Sequence, residues 1–205
     1  MQEFPKCQVL HFKLEPAPHN QWPAAHNQRE NKLIDILRKY NIKTIWHFTD
    51  KSNIDLIESQ GGLLALGELQ RRGVAIPAPG GNQWSHDADR YKGVHEYVHA
   101  AFLDDHPMLY AAKQDARIVN PCWLEIDSSI ILEDDVLFTN DVSNKAGSQL
   151  LTADLAREQI DFEVLFTYMD WKVPEVQARR RAALKSEVLI PRWIPLDKIL
   201  GMKNG

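Results

Sequence analysis

Cysteine is scarce: Cys7 and Cys122 are the only two in 205 residues, far apart and in no metal-type spacing. That argues against a disulfide scaffold and fits a reducing compartment. No uncharged apolar run approaches the ~20 residues of a membrane-spanning helix. The N-terminus carries an early acid, Glu3, and lacks an apolar signal core, so a soluble, cytoplasmic protein is expected. Positive charge is not in surplus either: 24 Lys and Arg stand against 28 Asp and Glu, a net charge of −4. Any nucleic-acid binding must therefore rest on a local patch rather than a global field. There is no internal repeat and no low-complexity tract, and the length suits one ordinary domain.

What the chain does have is a carboxylate in an unusual place. From Pro174 to Lys185 the residues favour a helix, with proline suited to its first turn. The β-branched and apolar run Val188–Ile190, closed by Pro191, then reads as a short strand whose first residue is Glu187. An acid there either caps the basic helix or faces a cleft, where partial desolvation makes it chemically useful. Arg179, Arg180, Arg181 and Lys185 form the one dense basic patch of the chain.

Upstream, residues 8–14 read as a strand and the Pro-, His- and Asn-rich stretch through Pro23 as an arm. Leu33, Ile36, Leu37 and Tyr40 recur at helical spacing, predicting a helix within 29–40. Residues 1–41 are thus expected to be an arm plus a helix packed on a domain spanning 42–205. Residues 43–49 read as a strand and 53–59 as a helix capped by Ser52 and ended by Gly61 and Gly62. Residues 73–82 are too rich in Gly and Pro for an element interior and read as a loop over a site or surface. Residues 122–127 and 135–139 read as strands, and 150–166 as one or two short helices.

His95, Glu96 and His99 match the H-E-x-x-H pattern of zinc proteases, which needs both histidines on one helical face. The periodicity of Val94, Tyr97, Val98, Ala101 and Phe102 permits a helix, but residues 97–102 equally suit a strand. No third ligand is evident beyond the distant Glu125. A zinc hydrolase is one reading of the chain.

A second pattern is an ordered series: His47, Phe48 and Thr49; Asn53; Gly61 to Leu64; Asp87 to Arg90; Pro107 to Tyr110; Trp123 to Asp127; Ser143 to Gly147; Pro174 to Val176; and Glu187 to Ile190. Over residues 42–200 this series resembles the DarT family of bacterial DNA ADP-ribosyltransferase toxins, which are paired with the macrodomain antitoxin DarG. The resemblance implies an α+β ADP-ribosyltransferase fold, two small facing β-sheets flanked by helices. It also implies NAD as substrate with no metal, single-stranded DNA as acceptor, and a DarG-like partner.

By the same resemblance Glu187, Arg90 and His47 are the catalytic residues, and His47, Thr49, Asn53, Arg90, Met108 and Tyr110 hold NAD. Arg71 or Arg72 is the alternative to Arg90. Arg179, Arg180, Arg181 and Lys185 would receive DNA phosphates. The chemistry suits these types: a carboxylate stabilises the oxocarbenium character left on ribose, and a guanidinium offers donors in a fixed fork.

The chain departs from the family where Tyr97 to Phe102 replaces an aromatic Y-V-P-F-Y-F segment. The resemblance implies that this segment is a strand of the transferase core, which makes the zinc pattern accidental and leaves activity within a few fold when His95 and His99 are replaced. RNA or protein acceptors, and a non-catalytic NAD or nucleic-acid binder, are the remaining alternatives.

Overall fold

The computed structural model describes residues 33–205, so the strand expected over 8–14 and the arm through Pro23 lie outside the described residues. The helices are α1 (Leu33–Lys39), α2 (Ile54–Ser59), α3 (Leu66–Arg71), α4 (Gln83–Lys92), α5 (Pro107–Gln114), α6 (Ala153–Gln159), α7 (Phe162–Phe166) and α8 (Pro174–Ala183). The strands are β1 (Thr44–Asp50), β2 (Gly62–Leu64), β3 (Tyr97–Ala101), β4 (Pro121–Asp127), β5 (Leu137–Thr139), β6 (Glu187–Pro191), β7 (Trp193–Pro195) and β8 (Ile199–Asn204). Both sheets are antiparallel. They are of unequal size: six strands in the order β5-β6-β3-β1-β4-β8, and the pair β2-β7.

Register places the key carboxylate. Glu187 lies opposite Thr139 on β5 and Ala101 on β3; Ala101 lies opposite Trp46, Trp46 opposite Glu125, and Glu125 opposite Gly201. Because directly opposed residues share a face, this row crosses all six strands on one side of the sheet. The alternate residues Val98, Ala100, Val188 and Ile190 enter the main hydrophobic core on the other side, with Leu33, Leu37, Phe162 and Val176 of the helices. That core fixes which face β6 turns inward, since a one-residue slip would exchange Glu187 for Val188. On the Glu187 side a smaller cluster of Ala101, Leu109, Ala112, Ile118 and Trp123 seats α5.

Ser52 does not cap α2: Asn53 holds the N-cap position without a side-chain cap bond, and a 3₁₀ turn, Lys51–Asn53, leads in from β1. Asp50 caps that turn, accepting from the Ser52 amide at 2.9 Å and the Ser52 hydroxyl at 2.8 Å. Its other oxygen accepts from the amides of Val119 at 2.8 Å and Asn120 at 2.7 Å. A carboxylate meets four donors where a serine hydroxyl meets fewer, so the acid takes the position.

Gly62 is required by close approach, because a Cβ there would sit 2.3 Å from the Ile194 carbonyl oxygen across the β2-β7 pair. Gly61, at φ 76°, takes the left-handed turn after α2.

Asp50 generates a prediction. Burial works against its ionisation, but the donors from Ser52, Asn120 and Val119 outweigh it and hold the carboxyl at about 2, down from 3.8. Its contribution is therefore complete above the unfolded value and is lost as pH falls towards about 2. Asp50→Ala strands two backbone donors beside β4 and should cost about 2–4 kcal/mol at neutral pH, read by denaturant unfolding. The deficit relative to wild type should shrink in acid.

Candidate active site

Glu187, at 5 % exposure, stands at the wall of a cavity of about 230 Å³. Its Oε2 is 3.0 Å from Nδ1 of His99. The other ring nitrogen of His99, Nε2, is 3.0 Å from the Val94 carbonyl oxygen. A carboxylate and a carbonyl both only accept, so both ring nitrogens must carry protons and His99 is an imidazolium. The energetics agree: burial opposes the charge, but the Glu187 hydrogen bond and charge raise the His99 pKa to about 9. Burial likewise opposes ionisation of Glu187, and His99 more than offsets it, leaving the carboxyl below its usual range. Ser143, whose hydroxyl is 3.2 Å from His99 Nδ1, also donates to Glu187.

Two further histidines border this pair. His47 Nδ1 is 2.7 Å from the His99 carbonyl oxygen, so that nitrogen carries the proton and Nε2 is left as an acceptor. Burial lowers its pKa to about 4, which keeps the ring neutral. His106 caps α5 by accepting from the Met108 amide at Nδ1. Its Nε2 has no hydrogen-bond partner and sits 3.9 Å from Glu187 Oε1. Burial lowers the His106 pKa as well.

The expected NAD-holding residues separate into two groups. His47, Thr49, Asn53 and Met108 line the cavity with Glu187. The Asn53 amide is already engaged: it donates to Thr49 Oγ1 at 2.9 Å and the Ala78 carbonyl at 2.8 Å, and accepts from the Ala78 amide at 2.9 Å. Its role is to pin the 73–82 loop, whose Ile76, Ala78, Pro79 and Gly80 form one wall.

Arg90 and Tyr110 are not brought to the cavity. Arg90 is half-exposed on α4 and pairs with Asp87 at 3.2 Å, while Ser85, His86 and Asp89 are the α4 residues that line the site. Tyr110 is 69 % exposed. Arg71 and Arg72 pair with Glu68, Arg71 also with Glu96, outside the lining. Among the described residues no arginine or lysine lines the cavity.

The basic patch is partly neutralised. Arg179 is held by Asp161 at 2.7 Å and Glu163 at 2.7 Å, and Arg180 lies over the Trp171 ring and 3.7 Å from Asp105. Arg181 is exposed and Lys185 half-buried.

The H-E-x-x-H segment is no helix. His95 and Glu96 fall in a 3₁₀ turn and His99 in β3, and both nitrogens of His99 are occupied, leaving no lone pair for a metal. His99 is no bystander, however, and here the sequence expectation is corrected. Its signal was the departure itself, a histidine in place of the family's proline, but only the β3-β6 register shows that it sits diagonally from Glu187. Asp89 and His106 were also missed, since helix orientation and cap geometry, not spacing, bring them in.

The α+β fold thus brings a desolvated carboxylate and a neutral histidine to one apolar cavity. Among solved structures, that of Thermus sp. 2.9 DarT in complex with ADP-ribosylated ssDNA is similar, with TM-score 0.57 and 19 % identity over 78 % of this chain and 79 % of that one. Thermosipho africanus DarTG in complex with ADP-ribose gives TM-score 0.60 and 16 % identity, over 78 % of this chain and 43 % of that one. Thermus sp. 2.9 DarT in complex with NAD+ gives 0.52 and 20 %, over 77 % and 79 %. No curated protein matches the chain. Residues 46–203 match the family described as "ssDNA thymidine ADP-ribosyltransferase, DarT", and the chain belongs to that family.

The histidines predict a stability optimum. Above pH about 6.5 the unfolded His99 loses its proton while the folded one keeps it to about 9, so stability falls across that window. Below about 6.5 the unfolded His47 gains a proton that the fold refuses until about 4, so stability falls there too. Thermal unfolding across pH should therefore peak near 6.5. His99→Gln should flatten the alkaline limb and His47→Gln should reduce the acid one.

Proposed function

We propose that this protein cleaves NAD at the bond between nicotinamide and ribose and transfers ADP-ribose to the thymine base of single-stranded DNA, with Glu187 as the catalytic carboxylate. The observation that carries this reading is a buried Glu187 held ionised by His99 at the wall of an apolar cavity. As the C1′–N bond breaks, its electron pair returns to the pyridinium nitrogen and nicotinamide leaves neutral. Positive charge then develops on the ribose, and a fixed carboxylate in a water-poor site stabilises it far more than solvent would.

His47, neutral with Nε2 as an acceptor, receives a ribose hydroxyl or the carboxamide of nicotinamide. Thr49 and Met108 complete that wall, and Asn53 acts through the loop it pins. Arg90 and Tyr110 take no part in holding NAD in this reading, because both face solvent.

DNA phosphates approach along Arg180, Arg181 and Lys185, with Arg179 fastening α8 to α7 through Asp161 and Glu163. A base is reached most readily when unpaired, since no unstacking is then needed. No described helix is long and apolar enough to cross a membrane. A cytoplasmic toxin or defence enzyme, restrained by a DarG-like macrodomain, completes the proposal.

Incubation with NAD and separate pools of single-stranded DNA, RNA and protein, followed by mass spectrometry, tests enzyme and acceptor together. Glu187→Gln should slow transfer by roughly a hundredfold or more while the protein remains folded. Full activity in that variant, or modification confined to RNA or protein, would overturn the assignment. Reversing charge at Arg181 and Lys185 should weaken DNA modification and flatten its salt dependence, with nicotinamide release in the absence of DNA little changed.

A further inference from the structure

Transfer to thymine leaves one proton unassigned. The only N–H of a thymine base within a nucleoside is at N3, so attachment of ribose to the base must displace that proton. Four of the titratable groups that line the cavity are unable to take it. His99 donates from both nitrogens. His106 accepts from the Met108 amide at Nδ1, so it carries its proton at Nε2 and has no free lone pair. Glu187 is bound to His99 and faces the developing cation. His47 is a weak base, since burial holds it at about 4.

Two lining residues keep a buried atom that has no hydrogen-bond partner and a lone pair to offer, Asp89 at Oδ1 and His95 at Nδ1. His95 is engaged with Glu96 through Nε2 at 3.2 Å, whereas Asp89, on the inward face of α4, stands where the charges of both Glu187 and His99 act on it. A buried acceptor without a donor is rare and costly unless a ligand supplies one. We infer that Asp89 is the general base that removes the N3 proton of the acceptor thymine, a role that rests on the thymidine transfer proposed above.

In the step, the Asp89 carboxylate takes the N3 proton, the freed electron pair forms the N3–C1′ bond, and the glycosidic pair leaves with nicotinamide. The proton passes from Asp89 to solvent when the product departs. The surroundings suit a base. Burial raises the Asp89 pKa, and the charge of Glu187 from β6 adds to this, while His99 from β3, Asn144 from the loop after β5 and His86 on the same helix draw it back. Two carboxylates in one cavity are thereby given different duties: one tied to an imidazolium and kept ionised, the other left free to accept a proton.

The helix is held in place by its own staple. Lys92, at the end of α4, donates to the carbonyls of Ser143, Lys145 and Ser148, which fixes α4 against the loop carrying Ser143 and Asn144.

The test is Asp89→Asn, an isosteric change at an atom that has no partner to lose. Transfer to a thymidine-containing single strand should fall about a hundredfold or more at neutral pH. Nicotinamide release without DNA should stay within a few fold. Transfer by the variant should then rise about tenfold per pH unit, as ionisation of the imide itself replaces the missing base, whereas wild type levels off. An Asp89→Asn protein with wild-type transfer and pH profile overturns the inference, as does equal loss of transfer and nicotinamide release. So does appearance of the rising profile in His86→Gln or His95→Gln instead. A wild-type protein that releases nicotinamide but leaves thymidine unmodified would overturn the functional reading itself.

Discussion

The contact between His99 and Glu187 is the constraint on which the site depends. Glu187 is buried and His99 stands partly exposed at the cavity wall, and the hydration lost by two such charges is offset by their attraction only with good geometry and full hydrogen bonding. Here the imidazolium is satisfied on both sides, by Glu187 and by the Val94 carbonyl, and Ser143 adds a donor to the carboxylate. Loss of His99 would leave the Glu187 charge buried alone, which typically costs about 3–5 kcal/mol. The pair also links two strands that are not consecutive in the chain, so the carboxylate is oriented by the sheet itself. A single histidine serves three contacts: its side chain holds Glu187 and Val94, and its carbonyl selects the tautomer of His47.

Around this pair the structure uses polar staples to fix segments that lack regular secondary structure. Asn53 closes a two-way amide contact with Ala78 and so sets the Gly- and Pro-rich loop as a cavity wall. Asp50 joins the end of β1 to the chain just before β4 through the Val119 and Asn120 amides. Lys92 gathers three carbonyls of the loop after β5. Each supplies partners for backbone groups that no helix or strand would satisfy, which is what lets loops hold a defined shape beside an apolar cavity.

The absence of lysine and arginine from the described cavity lining has a chemical consequence. The positive groups near Glu187 are histidines, and their charges are set by burial and partners rather than fixed. His99 is charged because two acceptors demand it; His47 is neutral because burial disfavours the charge and one acceptor is met by one proton. The cavity thus combines the Glu187–His99 ion pair with a second carboxyl group, Asp89, and no lysine or arginine, a setting that favours positive charge on a substrate.

By itself the sequence determined the strand that starts at Glu187, the helix that leads into it, the strand carrying His47 and Thr49, and the loop over 73–82. Those are local matters, decided by propensity, proline, glycine and alternation over a few residues, and the ordered motifs were enough to indicate the family. Only the tertiary structure decided which side chains meet. Arg90 lies one residue from Asp89, yet the turn of α4 sends the arginine to Asp87 and solvent and the aspartate to the cavity. Glu187 and His99 are 88 positions apart, and their meeting depends on β3 pairing with β6 in one register. Spacing along a chain cannot report such a distance, because it is fixed by strand pairing and by which face the core buries.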